Sequence, residues 1–233
     1  MLDLQGYGWT LVDGAWLTLE SAMAAALLAV ALGMLGATAK LSRSAALRWI
    51  ANIYTTLIRG VPDLVLMLLV FFGGQMLINQ IGPMLGYDDY IDINAFIAGV
   101  STIGFIYGAY MTETFRGAIL AVPPGQLEAG HAFGMSSLQV FLRILLPQMV
   151  RHALPGFGNN WLVLLKTTAL LSVLGLDDVL RKASLAAGAT RQPFTFYITA
   201  GIVYLLMTTV SVIVFHYLER RFAVAYARPS HGH

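Results

Sequence analysis

Four ionisable side chains stand inside long apolar runs of this chain: Arg59, Asp63, Glu113 and Lys166. Charge in hydrocarbon is costly unless it is paired or faces a water-filled path, so each is a candidate for solute contact or for a structural ion pair. Arg59 and Asp63 sit together in "TTLIRGVPDLVLMLLVFF", residues 55–72, with Gly60 and Pro62 between them. If the helix begins at Trp49, Arg59 lies about 15 Å along it and residues 60–63 break it near the bilayer midplane. Transporters bind solutes at such breaks, where half-helix ends converge. If the helix begins at Pro62, the same residues are a helix start. Gly60 then closes the preceding turn, Pro62 takes the first position, and Asp63 meets the positive end of the dipole.

Lys166 is the tenth residue of the run that opens at Phe157, about 15 Å down and too deep to reach water easily. It needs a carboxylate, from Glu113, Asp63, a neighbouring subunit or a solute, and a structural ion pair and a solute contact are equal alternatives. Glu113 and Arg116 are three apart on one helix and pair locally, which favours a structural or gating role. Asn159, Asn160, Thr167 and Thr168 form a polar stripe. Hydrogen bonding between packed helices is their default use, with Asn160 and Thr167 also candidates for the solute path.

Other chemistry is missing from the sequence. No G-x4-G-K-[ST] phosphate loop occurs, so any ATP must be bound by a partner. There is no cysteine, and His131, His152, His216, His231 and His233 lack ligand spacing, so no metal site is expected. No nucleophile–base set or carboxylate pair stands out, and the chain is not expected to be an enzyme.

The elements that must hold these residues are membrane spans. Only 11% of the chain is charged and 58% is hydrophobic, against about 25% charged in a soluble domain. The sequence predicts an all-α polytopic membrane protein forming one domain over 1–233. Its five spans run over about 16–39, 49–79, 95–120, 157–176 and 196–218, joined between the third and fourth by a loop over 121–156. Ala37-Thr-Ala39 imitates a signal-peptidase site, but residues 1–15 contain no lysine or arginine, so the first span is expected to stay. Lys40, Arg43, Arg48, Arg116, Arg143, Arg151, Arg220, Arg221 and Arg228 fall on one side of such a bundle, and Arg181, Lys182 and Arg191 on the other. That asymmetry puts the N-terminus outside and the C-terminus in the cytoplasm. "GYDDYIDIN", with Asp88, Asp89 and Asp92, then faces outward as a solvated loop, or as an approach for a partner or cationic solute. A net charge of +2 is too small to imply nucleic acid. Gly33 and Gly36, Gly73 and Gly74, and Gly104 and Gly108 permit close helix approach, the last pair being also a weak dimer signal.

The loop is the most informative stretch. Pro123-Pro124-Gly125 ends one helix and starts another, Ser136 or Ser137 can cap "LQVFLRILL", and Pro147 is expected to break that second helix. The plain alternative is an amphipathic loop on the membrane surface. Glu128-Ala129-Gly130, Gly134, Ile144 and Leu146-Pro147 resemble the E-A-A-x3-G-x9-I-x-L-P loop of ATP-binding-cassette importer membrane subunits, with Gly130 in place of the second alanine. "YTTLIRGVPDLVLMLL", "GFIYGAYMTETFRGAILAVPPGQLEAG" and "LPGFGNNWLVLLKTTALLSVLGLDDVL" extend the likeness from Tyr54 to Arg221. They resemble polar amino acid ABC importer permease subunits, above all the Q-type subunits of histidine/lysine-arginine-ornithine or arginine/ornithine importers.

The resemblance implies a type I ABC importer permease fold in a bacterial inner membrane. It also implies two ATPase subunits, a second related permease in a heterodimer and a periplasmic amino acid-binding protein. The loop would carry a cytoplasmic coupling helix, with Glu128 and Ala129 at the ATPase, Gly130 in the helix and Gly134 making the turn. General polar amino acid permeases usually carry an aliphatic residue where Asp63 stands, so "RGVPDL" points to the cationic branch. On that basis Asp63 is expected to touch a cationic side chain or α-amino group, with Arg59 as its structural neighbour, pairing with Glu113 or a partner subunit. The alternative class is a channel or carrier working without ATP.

Overall fold

The computed structural model describes residues 4–87 and 89–224; Asp3, Asp88, Arg228, His231 and His233 lie outside the described residues. Every regular element among the described residues is helical. In chain order they are α1 (Gly8–Leu41), α2 (Ala45–Gly60), α3 (Asp63–Ile81), α4 (Ala95–Leu120), α5 (Pro124–Ala132), α6 (Ser137–Val140), α7 (Leu146–Thr167), α8 (Val179–Thr190) and α9 (Pro193–Val224). A 3-10 turn follows α3, a π turn (Phe141–Leu145) joins α6 to α7, and a 3-10 stretch (Thr168–Leu174) extends α7.

Four stretches are long and apolar enough to cross a membrane: Gly8–Leu41, Asp63–Met84, Ala95–Leu120 and Pro193–Phe222. The expected span over 49–79 is two helices. Pro62 supplies no amide donor and holds φ at −58°, while Val61 before it is forced extended at φ −112°, ψ 138°, so α2 ends and α3 starts afresh at Asp63. The expected span over 157–176 is also redrawn, because its helix starts at Leu146 and tightens to 3-10 after Thr167. Its asparagines, threonines and Lys166 keep it out of the four apolar stretches.

Pro147 does not break the loop's second helix. The Leu146 amide reaches back five residues to the Phe141 carbonyl, and this π turn takes up the register shift that the proline would otherwise force. Helical backbone therefore runs from Ser137 to Leu174.

α4 is the axis of the bundle: 67% of its apolar window is buried, against 6% for α3 and α9. Lipid tails are as apolar as leucine, so its packing depends on close approach instead of hydrophobic expulsion. α1 supplies Ala22, Ala25 and Ala29, fully buried beside Ile103, Ile106 and Met111 of α4. Gly104 and Gly108 serve this same internal seam. A Cβ at Gly104 would come 2.7 Å from Leu28, and one at Gly108 would come 2.7 Å from the Tyr54 hydroxyl and 2.8 Å from Leu32. That pair is spent inside the chain, and the dimer signal is withdrawn. On the side away from the loop, α8 rests on α1, where the Val179 amide donates to Thr18 at 3.2 Å.

Candidate functional site: a helix break against two tyrosines

The break between α2 and α3 places Arg59 in the last turn of one helix and Asp63 in the first turn of the next. Both face α4, where Tyr107 and Tyr110, three residues apart, share one side with ring centroids 5.5 Å apart. The Arg59 guanidinium carbon stands 5.3 Å from the centre of the Tyr110 ring, a cation–π contact. The expected pairing of Arg59 with Glu113 is not made. Glu113 instead holds Lys40 of α1 and Arg116, the latter at 2.9 Å. Lys40 also donates to Thr55 of α2 at 2.6 Å, so one carboxylate ties three helices together at the basic side of the bundle.

Asp63 is the first residue of α3, after Pro62 in the N-cap position, and the hydrogen bond found for its side chain runs to α4 and not to the α3 backbone. Its one hydrogen-bond partner among the described residues is the Tyr107 hydroxyl, at 3.5 Å from Oδ2. That hydroxyl lies much nearer to Thr167 Oγ1, at 2.6 Å, while Thr167 donates its own proton to the Val163 carbonyl at 3.1 Å. Each hydroxyl has one proton to give. With the Thr167 proton on the backbone, the Tyr107 proton goes to the short contact, and the Asp63 carboxylate is left with acceptor capacity beside a helix break. An ammonium or guanidinium group is what such a carboxylate can take, since the positive end of the α3 dipole balances only part of its charge.

Asn160 points elsewhere, donating to Thr114 at 3.0 Å and so joining α7 to α4 in the packing role. Thr167 reaches the site through Tyr107. Lys166 is exposed on the surface of this chain and has no hydrogen bond or ion pair among the described residues, so neither Asp63 nor Glu113 is its partner. Tyr107, Tyr110, Lys40, Thr55 and Thr114 are the residues that sequence reasoning missed. The stripe Tyr107, Tyr110, Thr114, at spacings of three and four, was a usable signal for one polar face of α4.

The loop has a second constellation, set by local chemistry. Pro124 occupies the first turn of α5, where its missing donor costs nothing. Gly134 has φ +79°, and the Met135 amide closes on the Gly130 carbonyl at 3.1 Å, ending α5 in a Schellman turn. Ser136 and Gln139 exchange side-chain and backbone bonds in a capping box that starts α6. The departure at Gly130 has a packing reason, since a Cβ there would meet Ile144 at 2.6 Å and Val140 at 3.1 Å. Glu128 and Ala129 lie exposed on α5, next to Phe133 at 87% exposure, so the loop presents one acidic and one aromatic feature outward.

Comparison with known proteins shows the family. Residues 8–224 match the family model described as "Binding-protein-dependent transport system inner membrane component". The chain is 52% identical to the histidine/lysine/arginine/ornithine transport system permease protein HisQ of Salmonella typhimurium, covering 97% of this chain and 98% of that protein. It is 44% identical to the octopine transport system permease protein OccQ of Rhizobium meliloti, over 93% and 91% of the two chains. Among solved structures, an amino acid ABC transporter crystallised with histidines superposes with a TM-score of 0.78 at 32% identity, covering 92% of this chain and 95% of that one. With the family model spanning nearly all of its length, the chain belongs to the binding-protein-dependent transport system inner membrane components, the membrane permease subunits of ABC importers.

Proposed function

We propose that this permease subunit carries basic amino acids, histidine, arginine, lysine and ornithine, along a path that passes Asp63. The observation that carries the proposal is the Asp63 carboxylate, placed at a helix break with its capping bond unmade and its tyrosine partner committed to Thr167. The solutes in the printed name of the HisQ relative are of the class such a carboxylate selects. Lys166, exposed and unpaired among the described residues, serves as the countercharge for the solute carboxylate or for a carboxylate of the second permease. In this reading the chain crosses a bacterial inner membrane five times with its N-terminus outside, pairs with a related permease, and receives solute from a periplasmic binding protein.

α5 and its turn dock on one of two ATPase subunits, with Glu128 at the contact and Phe133 seated in the ATPase groove. ATP is bound and hydrolysed there and not in this chain. Glu128→Lys tests the coupling: uptake is expected to fall by tenfold or more, on the order of the 2–5 kcal/mol attached to a buried interfacial charge, while the permease pair still inserts. Uptake unchanged by Glu128→Lys, or solute flux through the permeases purified free of any ATPase, overturns the proposal.

A further inference from the structure

We infer that the cleft between α1, α7 and α9 is a binding site for one acyl chain of an anionic glycerophospholipid, whose phosphate rests on Arg221. The cleft has a volume of about 390 Å³ and is walled by Leu27 and Val30 of α1, Phe157 and Trp161 of α7, and Val214 and Leu218 of α9. Its polar groups are used up on each other: the Trp161 indole donates to Ser211 at 2.9 Å, and Ser211 donates to the Met207 carbonyl at 2.8 Å. What remains is a dry apolar wall, with Leu27 69% and Val214 49% exposed at its rim.

Two observations say what fills it. The first is the placement of charge on α7. Lys166 and Asn159, both exposed, point about 140–180° round the helix from Phe157 and Trp161 at 3.6 residues per turn. A membrane-embedded lysine without a partner must be covered by protein or by the solute path. The second permease therefore belongs on that side, and the cleft on the opposite side of α7 is left to lipid.

The second observation is charge at the end of the cleft. Arg221 lies one turn beyond Leu218, about 20° from the direction of Val214 on the same helix. It is exposed and has no hydrogen bond or ion pair among the described residues. A chain lying along Val210 to Leu218 runs about 12 Å, placing its head group at the arginine. The acyl chain supplies apolar packing and the guanidinium a fork for the phosphate.

The test uses the assembled transporter in nanodiscs of equal parts phosphatidylglycerol and phosphatidylcholine. A photoreactive benzophenone residue at Val214 is expected to capture phosphatidylglycerol several-fold over phosphatidylcholine. Arg221→Gln is expected to reduce that preference by about fivefold, the value of one basic side chain at an anionic membrane surface. Val214→Trp, which fills the cleft from its exposed rim, is expected to remove the phosphatidylglycerol that native mass spectrometry finds on the purified complex. Capture of the second permease or another protein from position 214 overturns the inference, as does equal capture of the two lipids or a preference untouched by Arg221→Gln. The Arg221 arm alters only an exposed side chain, so it decides the matter even if the tryptophan variant fails to assemble.

Discussion

Two aspartates open helices in this chain, Asp63 at α3 and Asp178 at α8, and they are used in opposite ways. Asp178 caps its helix, accepting from the Arg181 amide at 2.8 Å, and is fully buried where α1, α8 and α9 meet. Its other oxygen, Oδ2, has no hydrogen-bond partner among the described residues, and the Tyr204 hydroxyl lies within range of its charge. Asp63 makes no cap and is only half-buried, with its carboxylate turned toward Tyr107. A capping aspartate closed into the fold is structural. An uncapped one beside a helix break keeps its charge available for something that arrives later.

Replacing the carboxylates one at a time should separate these roles. Asp63→Asn keeps the shape and removes the charge: uptake of arginine is expected to fall on the order of tenfold, equivalent to about 1.4 kcal/mol of lost interaction, with the complex still assembling at wild-type yield. Unchanged uptake of arginine and histidine would return Asp63 to a helix-start role and erase the contrast. Asp178→Asn should act on stability instead. The amide oxygen can still cap α8 and the buried unpaired charge is gone, so the thermal midpoint at pH 8 is expected to hold or rise, by up to about 1 kcal/mol, with uptake kept. A collapse of uptake with normal stability would show that Asp178 also belongs to the transport path.

The pH dependence sharpens the same point. Burial pushes the Asp178 carboxyl up from 3.8 to about 6, against the lowering effect of the Arg181 amide. The folded chain then holds a proton that the unfolded chain releases, so this residue's stabilising contribution is present below pH 3.8 and is lost as pH rises through about 6. Thermal melts between about pH 4 and 7, bracketing the window from 3.8 to about 6, should show this slope in the wild-type complex and a flatter one in Asp178→Asn. The smallest effect is expected from Tyr107→Phe. It removes the hydroxyl that stands between Asp63 and Thr167 and should change the apparent KM for arginine two- to threefold, within the roughly 0.5–1.5 kcal/mol of one hydrogen bond.

The helical turns of the loop over 121–156 were largely legible in the sequence, because their signals are local. Pro124, Gly134 and the Ser136–Gln139 box act on neighbours within five residues, and each does what its chemistry dictates. Pro147 misled for a physical reason, since the cost of a proline can be absorbed by a π turn that no single residue announces. The candidate site was half legible. Charge inside apolar runs marked Arg59, Asp63, Glu113 and Lys166 as unusual, and the Glu113–Arg116 pair was visible at a spacing of three, but Tyr107, Tyr110 and Lys40 lie 44 or more residues from the groups they meet, and spacing along a sequence does not measure distance across a bundle. Lys40 was counted only as a basic loop residue because its reach to Glu113 depends on how α1 leans on α4.

By itself, then, the sequence determined that the chain lives in a membrane, where its helices start and stop around prolines, glycines and caps, and what the loop over 121–156 resembles. Those properties follow from transfer free energies and from backbone dihedrals fixed within a few residues. Only the tertiary structure decided that Arg59 turns to Tyr110, that the Tyr107 hydroxyl sits against Thr167, and that Lys166 is left facing outward. Those outcomes depend on which faces of α1, α4 and α7 meet, and in an apolar solvent that choice rests on the fit of small residues such as Gly104 and Gly108 against particular side chains.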